Sequence, residues 1–145
     1  MINIYTVKWG HKYGPEYVNR IFKECKKHIT SEFAFHCITE HSVGLNAEII
    51  IIPIPEGNYY EKWWNKLYLF DKDVIKQDGE KLFFDLDISI QKNIDCIVEL
   101  DPGNSLTFVR THWHNLVKMK KDCKDALHKY TDLNSSVLRW NDRLD

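Results

Sequence analysis

The sequence predicts an α/β domain with a mixed, mostly parallel central sheet flanked by helices, and three observations carry that prediction. Strand-like apolar runs alternate with two amphipathic helical stretches through the first half of the chain, the pattern of strands joined by crossover helices. One run, "AEIIIIPIP", has four consecutive isoleucines, as expected of a strand covered on both faces. Later runs follow one another through short turns such as "DPGN", which favours antiparallel neighbours. No repeat, low-complexity tract or linker interrupts the 145 residues, so the expectation is a single domain over 1–145.

The elements follow in order. Ile2 to Trp9 sets Ile2 and Ile4 against Tyr5 and Val7 and reads as a buried first strand. "GHKYGP" breaks it, and Pro15 opens a helix to Ile29 whose Val18, Ile21, Phe22 and Cys25 recur at helical spacing. Phe33 to Ile38 and Ala47 to Pro55 are the next strands, the latter stopped by two prolines. In "NYYEKWWNKLYLF", Trp63, Leu67 and Phe70 fall on one face with Tyr60 and Trp64 beside them. That predicts a helix packed on the sheet, with both tryptophans in the core. Strands are then expected at Leu82 to Ile90, Cys96 to Leu100, Ser105 to Trp113 and Asn134 to Trp140, with a charged, helical stretch from Leu116 to Tyr130.

Composition narrows the function classes. With 43% hydrophobic and 28% charged residues and a net charge of −1, the chain lacks the basic surplus of a duplex-binding protein. No apolar run approaches the ~20 residues of a membrane span. "MINIYTVKWG" goes straight into strand-like sequence instead of a basic start and apolar stretch, so a cytoplasmic location is expected, host cytoplasm if viral. Cys25, Cys37, Cys96 and Cys123 form no C-x-x-C pair, which argues against structural zinc and for reduced thiols.

Chemistry concentrates in "KLFFDLDISI". Asp85, Asp87 and Ser89 alternate with Leu86, Ile88 and Ile90, which an ordinary half-exposed strand also does. Three points favour a site. Aspartate is disfavoured inside strands, and two on one face repel. Their Cα atoms would sit roughly 6.6 Å apart on a strand, close enough for both carboxylates to meet one ion or its waters. The preceding "KLFF" is apolar on both faces, so the polar break marks the carboxyl end of a central strand, where open α/β sheets bind ligands. Two carboxylates suit a hard cation that keeps waters and takes phosphate oxygens from a substrate.

Asp85-Leu86-Asp87, the "NKL" of the preceding helix, the "KNID" turn and the late "NSSVLRW" together resemble glycosyltransferases of the nucleotide-sugar GT-A fold. The glycogenin-like and lipopolysaccharide-galactosyltransferase-like groups are the nearest in pattern. "YTVKWGHKYGPEYVNRIF" is also similar to the opening of small bacterial and phage glycosyltransferases. The resemblance implies a single GT-A-like (Rossmann-like) domain, shortened at its C-terminus. It implies a hexosyltransferase that uses a UDP-sugar donor and Mn²⁺ or Mg²⁺, held by Asp85 and Asp87. Thr6, Val7, Lys8, Tyr13, Glu40 and Leu86 would line the nucleotide. Lys66 would reach the diphosphate or donor sugar, and Asn134 and Ser135 would border the sugar or acceptor. Members of the family often draw a third metal ligand, commonly His, from beyond the corresponding point. His112, His114, Asp142 and Asp145 are the local substitutes, with a half-buried or surface pair the plainer reading of the two histidines.

Lys66, Tyr13, Asn134 and Ser135 also have plain readings as a solvent-facing helix residue, a turn-capping aromatic and turn residues. No general base stands out, and the nearer resemblance is to retaining enzymes. A nucleotide-sugar-binding module without transfer activity and an α/β metal-dependent phosphohydrolase remain as alternatives. The latter needs a second metal site or a water activator, and the sequence offers no second acidic cluster. The acceptor (saccharide, lipid-linked sugar or protein), the donor sugar and a homo-oligomer that completes its site from a neighbour stay open.

Overall fold

The computed structural model describes residues 1–57, 60–110 and 133–144. Strand β1 (Ile2–Lys8) is buried along its whole length. Helix α1 (Pro15–His28) starts on its proline, carries Glu16 in its first turn and Lys26, Lys27 and His28 in its last, and buries Val18, Ile21, Phe22 and Cys25. These charges match the helix dipole at both ends. Strands β2 (Phe33–Thr39) and β3 (Ile50–Pro53) follow, then a 3-10 helix (Lys62–Phe70) and β4 (Lys81–Phe84). A one-turn helix α2 (Asp95–Val98) leads to β5 (Thr107–Arg110) and β6 (Leu133–Trp140).

Among the described residues these strands form one sheet in the order β3-β2-β1-β4-β6-β5. The β1–β2, β1–β4 and β2–β3 pairs are parallel, while β6 runs antiparallel to both β4 and β5. The expected mixed, mostly parallel α/β sheet is therefore present, with its antiparallel part late in the chain. Alternate residues of the central strands feed two cores. Ile2, Ile4, Leu82 and Phe84 pack under α1, and Tyr5, Val7 and Phe83 pack with Tyr68 and Leu69 of the 3-10 helix. Burial on both faces is what gives β1 and β4 their near-continuous apolar sequences.

Four elements differ from the sequence expectation. The strand expected over Leu82 to Ile90 stops at Phe84. The Asp85 N–H still donates to Ser136 O at 2.9 Å, but the chain then turns, with Ile88 N–H reaching back towards Asp85 O. Cys96 to Leu100 is not a strand; Asp95–Val98 forms a helical turn, with the Asp95 side chain bonded to Thr30 and Asn93. The isoleucine run is an edge strand: Ile50 and Ile51 are exposed, and Pro53 sits where an edge needs no donor. The Trp-rich segment is a 3-10 helix with Trp63 and Trp64 exposed. At three residues per turn, Trp64, Leu67 and Phe70 share one row, and all three face outward while Asn65 and Tyr68 face in. A 3.6-residue period had grouped them otherwise. Leu116 to Tyr130, His112, His114, Cys123 and Asp145 lie outside the described residues. Among the described residues no helix is long and apolar enough to cross a membrane. Cys25, Cys37 and Cys96 are free thiols.

One ion pair anchors the start of β4. Lys81 has a side chain only 6% exposed, and its ammonium bonds Gly79 O and the Asp142 carboxylate, which also accepts the Gly79 N–H. Removing the carboxylate strands a buried cation. Asp142→Ala is expected to lower stability by about 2 kcal/mol in urea titrations at neutral pH, below the cost of a wholly buried pair because Asp142 itself is half exposed.

Candidate functional site

The sheet order reverses at β1: β2 and β3 lie on one side of it and β4 on the other. Such a switch point opens a crevice at the carboxyl ends of the two central strands. Here the β1–β4 ladder is registered through Tyr5↔Phe83. One residue further, the buried Thr6 hydroxyl donates to Phe84 O at 3.0 Å and ties the two strand ends together. Asp85 leaves β4 directly above that tie.

Asp85 is the centre of a small polar cluster. Lys66, carried by the 3-10 helix, donates from Nζ to Asp85 Oδ2 at 2.7 Å and approaches Ser135 Oγ at 3.4 Å. Both partners of the ion pair are about four-fifths buried, with side-chain exposures of 24% and 21%. Burial pushes the Asp85 carboxyl above the ordinary carboxylate range. The bonded Lys66 ammonium opposes that rise, the charge of Asp87 adds to it, and a hydrogen bond from Ser136 opposes it. Ser135 and Ser136 sit at an irregularity of β6. The β5–β6 register jumps from Phe108↔Leu138 to Val109↔Asn134, leaving residues 135–137 unmatched. A bulge of this kind re-aims side chains. Asn134 turns back locally, its Oδ1 accepting the Ser136 N–H at 2.7 Å.

Asp87 is exposed on the turn beyond Asp85, while Leu86 is buried under α1. Facing Asp87 is the loop between β1 and α1. The Lys12 ammonium lies 4.8 Å from the centre of the Tyr13 ring, and Tyr13 meets Tyr17 edge-on at 4.9 Å. Hydrogen bonding and charge from Tyr13 hold the Lys12 pKa above its usual value, with a smaller push from the Asp87 charge. The loop is closed at its root by Glu40, whose Oε1 accepts the Gly10 N–H, and Gly10 has the positive φ of +58° that suits glycine. Val7 and Lys8, at the end of β1, are buried.

Asp85, Lys66 and Ser135 thus form a bonded cluster at the crevice, with Thr6 bracing its floor. Tyr13 and Asp87 share the charged surroundings of Lys12. Glu40 Oε1 accepts from the Gly10 amide of the loop between β1 and α1, and Asn134 Oδ1 accepts from the Ser136 amide of its own strand. Sequence reasoning missed Lys12, Arg20 and Ser136. Lys12 stands beside the singled-out Tyr13, and Ser136 beside Ser135, but nothing in the spacing assigns either a partner.

A groove of about 730 Å³ lies at the other end of the sheet, lined by Lys72, Ile75, Lys81, Trp140 and Asp142 among others. Lys81 starts β4 and Trp140 ends β6, so the groove is remote from the carboxyl-end crevice.

Solved structures share this fold. The chain superposes on the galactosyltransferase LgtC in complex with donor and acceptor sugar analogues with a TM-score of 0.64 at 16% identity, over 96% of this chain and 57% of that one. The fold is GT-A-like. An active-site mutant of LgtC gives 0.65 at 16% identity, over the same shares of the two chains. The apo form of the glycosyltransferase GlyE from Streptococcus pneumoniae TIGR4 gives 0.60 at 14% identity, over 97% of this chain and 34% of that one. The GT-A-like chain described here therefore spans little more than half the length of LgtC and about a third of GlyE. No family model matches the sequence, and no curated protein sequence does.

The donor set bears on a metal. Among the described residues no group of three or more His, Cys, Asp and Glu side chains comes together. A closed protein cage is thus not formed by them. Two carboxylates on a strand-end turn do fit a hard divalent ion whose remaining ligands are water and substrate phosphate oxygens. A cation held by Asp85 and Asp87 would offset their mutual repulsion and the desolvation cost that lifts the Asp85 pKa.

Proposed function

We propose that the protein is a metal-dependent glycosyltransferase that takes a hexose from a UDP-sugar and passes it to an acceptor hydroxyl, with retention at the anomeric carbon. The observation that carries this reading is the Asp85–Asp87 turn at the carboxyl end of β4, beside the β1/β4 switch point, with the Lys66 ammonium on Asp85. One of the similar structures is a galactosyltransferase in complex with donor and acceptor sugar analogues, which favours a sugar nucleotide over a simple phosphate ester.

In this reading Asp85 and Asp87 hold Mn²⁺ or Mg²⁺. When bound, the ion neutralises the charge that builds on the departing nucleoside diphosphate. Lys66, carried on the 3-10 helix, adds a second positive charge for the departing diphosphate as the glycosidic bond breaks. Moving from Asp85 to the diphosphate frees the carboxylate for the ion. Thr6 keeps the two strand ends at a fixed separation under the nucleotide. The Tyr13 ring, buttressed by Tyr17 and Lys12, offers a flat face to the base. Ser135 is available to sugar hydroxyls. As the bond from the anomeric carbon to the diphosphate breaks, the acceptor hydroxyl attacks that oxocarbenium-like carbon on the same face and passes its proton to the departing diphosphate oxygen.

The test is a panel of UDP- and GDP-sugars, each incubated with the protein with and without Mn²⁺, following nucleotide release. Mn²⁺-dependent release from one UDP-sugar is expected. Tight donor binding without any release would make the protein a nucleotide-sugar-binding module, and no binding to any donor would refute the reading.

A further inference from the structure

Helix α1 does more than cover the sheet. Arg20 and Glu24, one turn apart on it, both reach the loop that follows β4. Arg20 Nη2 donates to Leu86 O at 2.8 Å and to Ile88 O at 2.9 Å, the two carbonyls that bracket Asp87. Glu24 takes the far end of the same loop, accepting the Ile90 N–H at 2.7 Å and the Ser89 hydroxyl at 3.2 Å. The Arg20 guanidinium lies 5.6 Å from the Tyr17 ring, and its buried Nε has no acceptor among the described residues. Tyr17 in turn supports Tyr13.

We infer that Arg20 is a positioning residue for Asp87: it fixes the peptide unit before it and the carbonyl of the residue after it, so that the carboxylate stays beside Asp85. The physical need is plain. Asp87 is exposed and repelled by Asp85, and it accepts no hydrogen bond of its own among the described residues, so nothing at its side chain keeps it close. Two charge-assisted bonds to the flanking carbonyls supply that restraint from the backbone side. Glu24 restrains the loop three residues further on and does not touch the peptides around Asp87. The two residues therefore load the same loop but differ in what they hold.

The inference rests on the metal-nucleotide reading above, and one experiment separates the two. Mn²⁺ affinity is measured by titration calorimetry or by the loss of free-ion electron paramagnetic resonance signal, with saturating UDP, for the wild type, Arg20→Ala, Arg20→Lys and Glu24→Ala. Thermal melts are recorded alongside. Arg20→Ala is expected to weaken Mn²⁺ binding by about 10- to 100-fold, the usual effect of losing a residue that orients a metal ligand. Glu24→Ala should lower the melting temperature by a similar amount yet leave Mn²⁺ affinity within about threefold, because it frees only the far end of the loop. Arg20→Lys keeps the charge on a shorter stem without the planar fork, and about a fivefold loss is expected. If Arg20→Ala does not fold, Arg20→Lys decides. Wild-type affinity in the Arg20 variant that decides, or an equal loss in Glu24→Ala, overturns the positioning role alone. A wild type that binds no Mn²⁺ with UDP overturns the functional reading, and this role falls with it.

Discussion

Asp87→Ala is expected to cut Mn²⁺-dependent nucleotide release by about 10³-fold, roughly 4 kcal/mol of transition-state stabilisation, while leaving the melting temperature unchanged or slightly raised. The two halves of that expectation come from the same geometry. Asp87 is exposed, and among the described residues it makes no hydrogen bond that folding would lose. Its charge raises the pKa of the buried Asp85 carboxyl, so removing it relieves a repulsion in the folded state. Against that repulsion stands only its weaker attraction to the exposed Lys12 ammonium, so little folding energy is expected to go with the side chain. Asp85→Ala is a less clean probe. It leaves the Lys66 ammonium, three-quarters buried, without its partner, and stability falls together with activity. The paired measurement is therefore a nucleotide-release assay and a thermal melt on both variants. A rate loss below about tenfold for Asp87→Ala would remove Asp87 from the mechanism as a metal ligand, since an ion held by Asp85 alone would then suffice.

The same pair of aspartates shows how far the sequence could be read. Ile2, Ile4, Tyr5 and Val7 announced β1 because a doubly covered strand needs apolar side chains on both faces. Val18, Ile21, Phe22 and Cys25 announced α1 because one stripe of the helix is buried. Local periodicity and burial coincide there. Asp85 and Asp87 were visible as two carboxylates at the end of an apolar run, but the alternation that continues to Ile90 looked like more strand. What ends β4 is the turn closed by Asp85 O and the loop contacts from α1, and those partners lie more than sixty residues away in sequence. Arg20 was equally hidden: on the helix it is one polar residue among several. The Trp63–Trp64 segment misled for a different reason. Its apolar residues fit a 3.6-residue period well, and only the tighter turn of the 3-10 helix puts Trp64, Leu67 and Phe70 in one outward row. Cys96 to Leu100 was a run too short for its period to separate strand from helical turn.

His36 sets the second large expectation, on stability instead of activity. It sits in β2 with 2% exposure, stacked on Tyr5 at 4.8 Å, with Nε2 3.1 Å from Asn3 Oδ1 and a buried Nδ1 that has no partner among the described residues. Burial pushes its pKa down from 6.5 to about 4. The folded state therefore holds a neutral imidazole where the unfolded chain takes up a proton. Between pH 6.5 and about 4 the unfolded state binds more protons, so stability rises with pH across this window and is lost as pH falls through it. The full loss amounts to about 3 kcal/mol, with a slope approaching 1.4 kcal/mol per pH unit in mid-window. Below about pH 4 this contribution is exhausted. Asp95, Asp101 and Asp142 run the other way: their folded pKa values are depressed, so the stability they add is lost as pH falls through the carboxylate range, mostly below the histidine window. The check is urea unfolding at half-unit steps from pH 7.5 to 4 for the wild type and His36→Phe. Phenylalanine keeps a stacking partner for Tyr5 and cannot titrate. The difference between the two curves isolates His36 from every other group, and the wild type should lose about 3 kcal/mol relative to His36→Phe from pH 6.5 to 4. A difference that stays flat would mean that the imidazole titrates alike in both states, which a fully enclosed ring with an orphaned nitrogen does not allow.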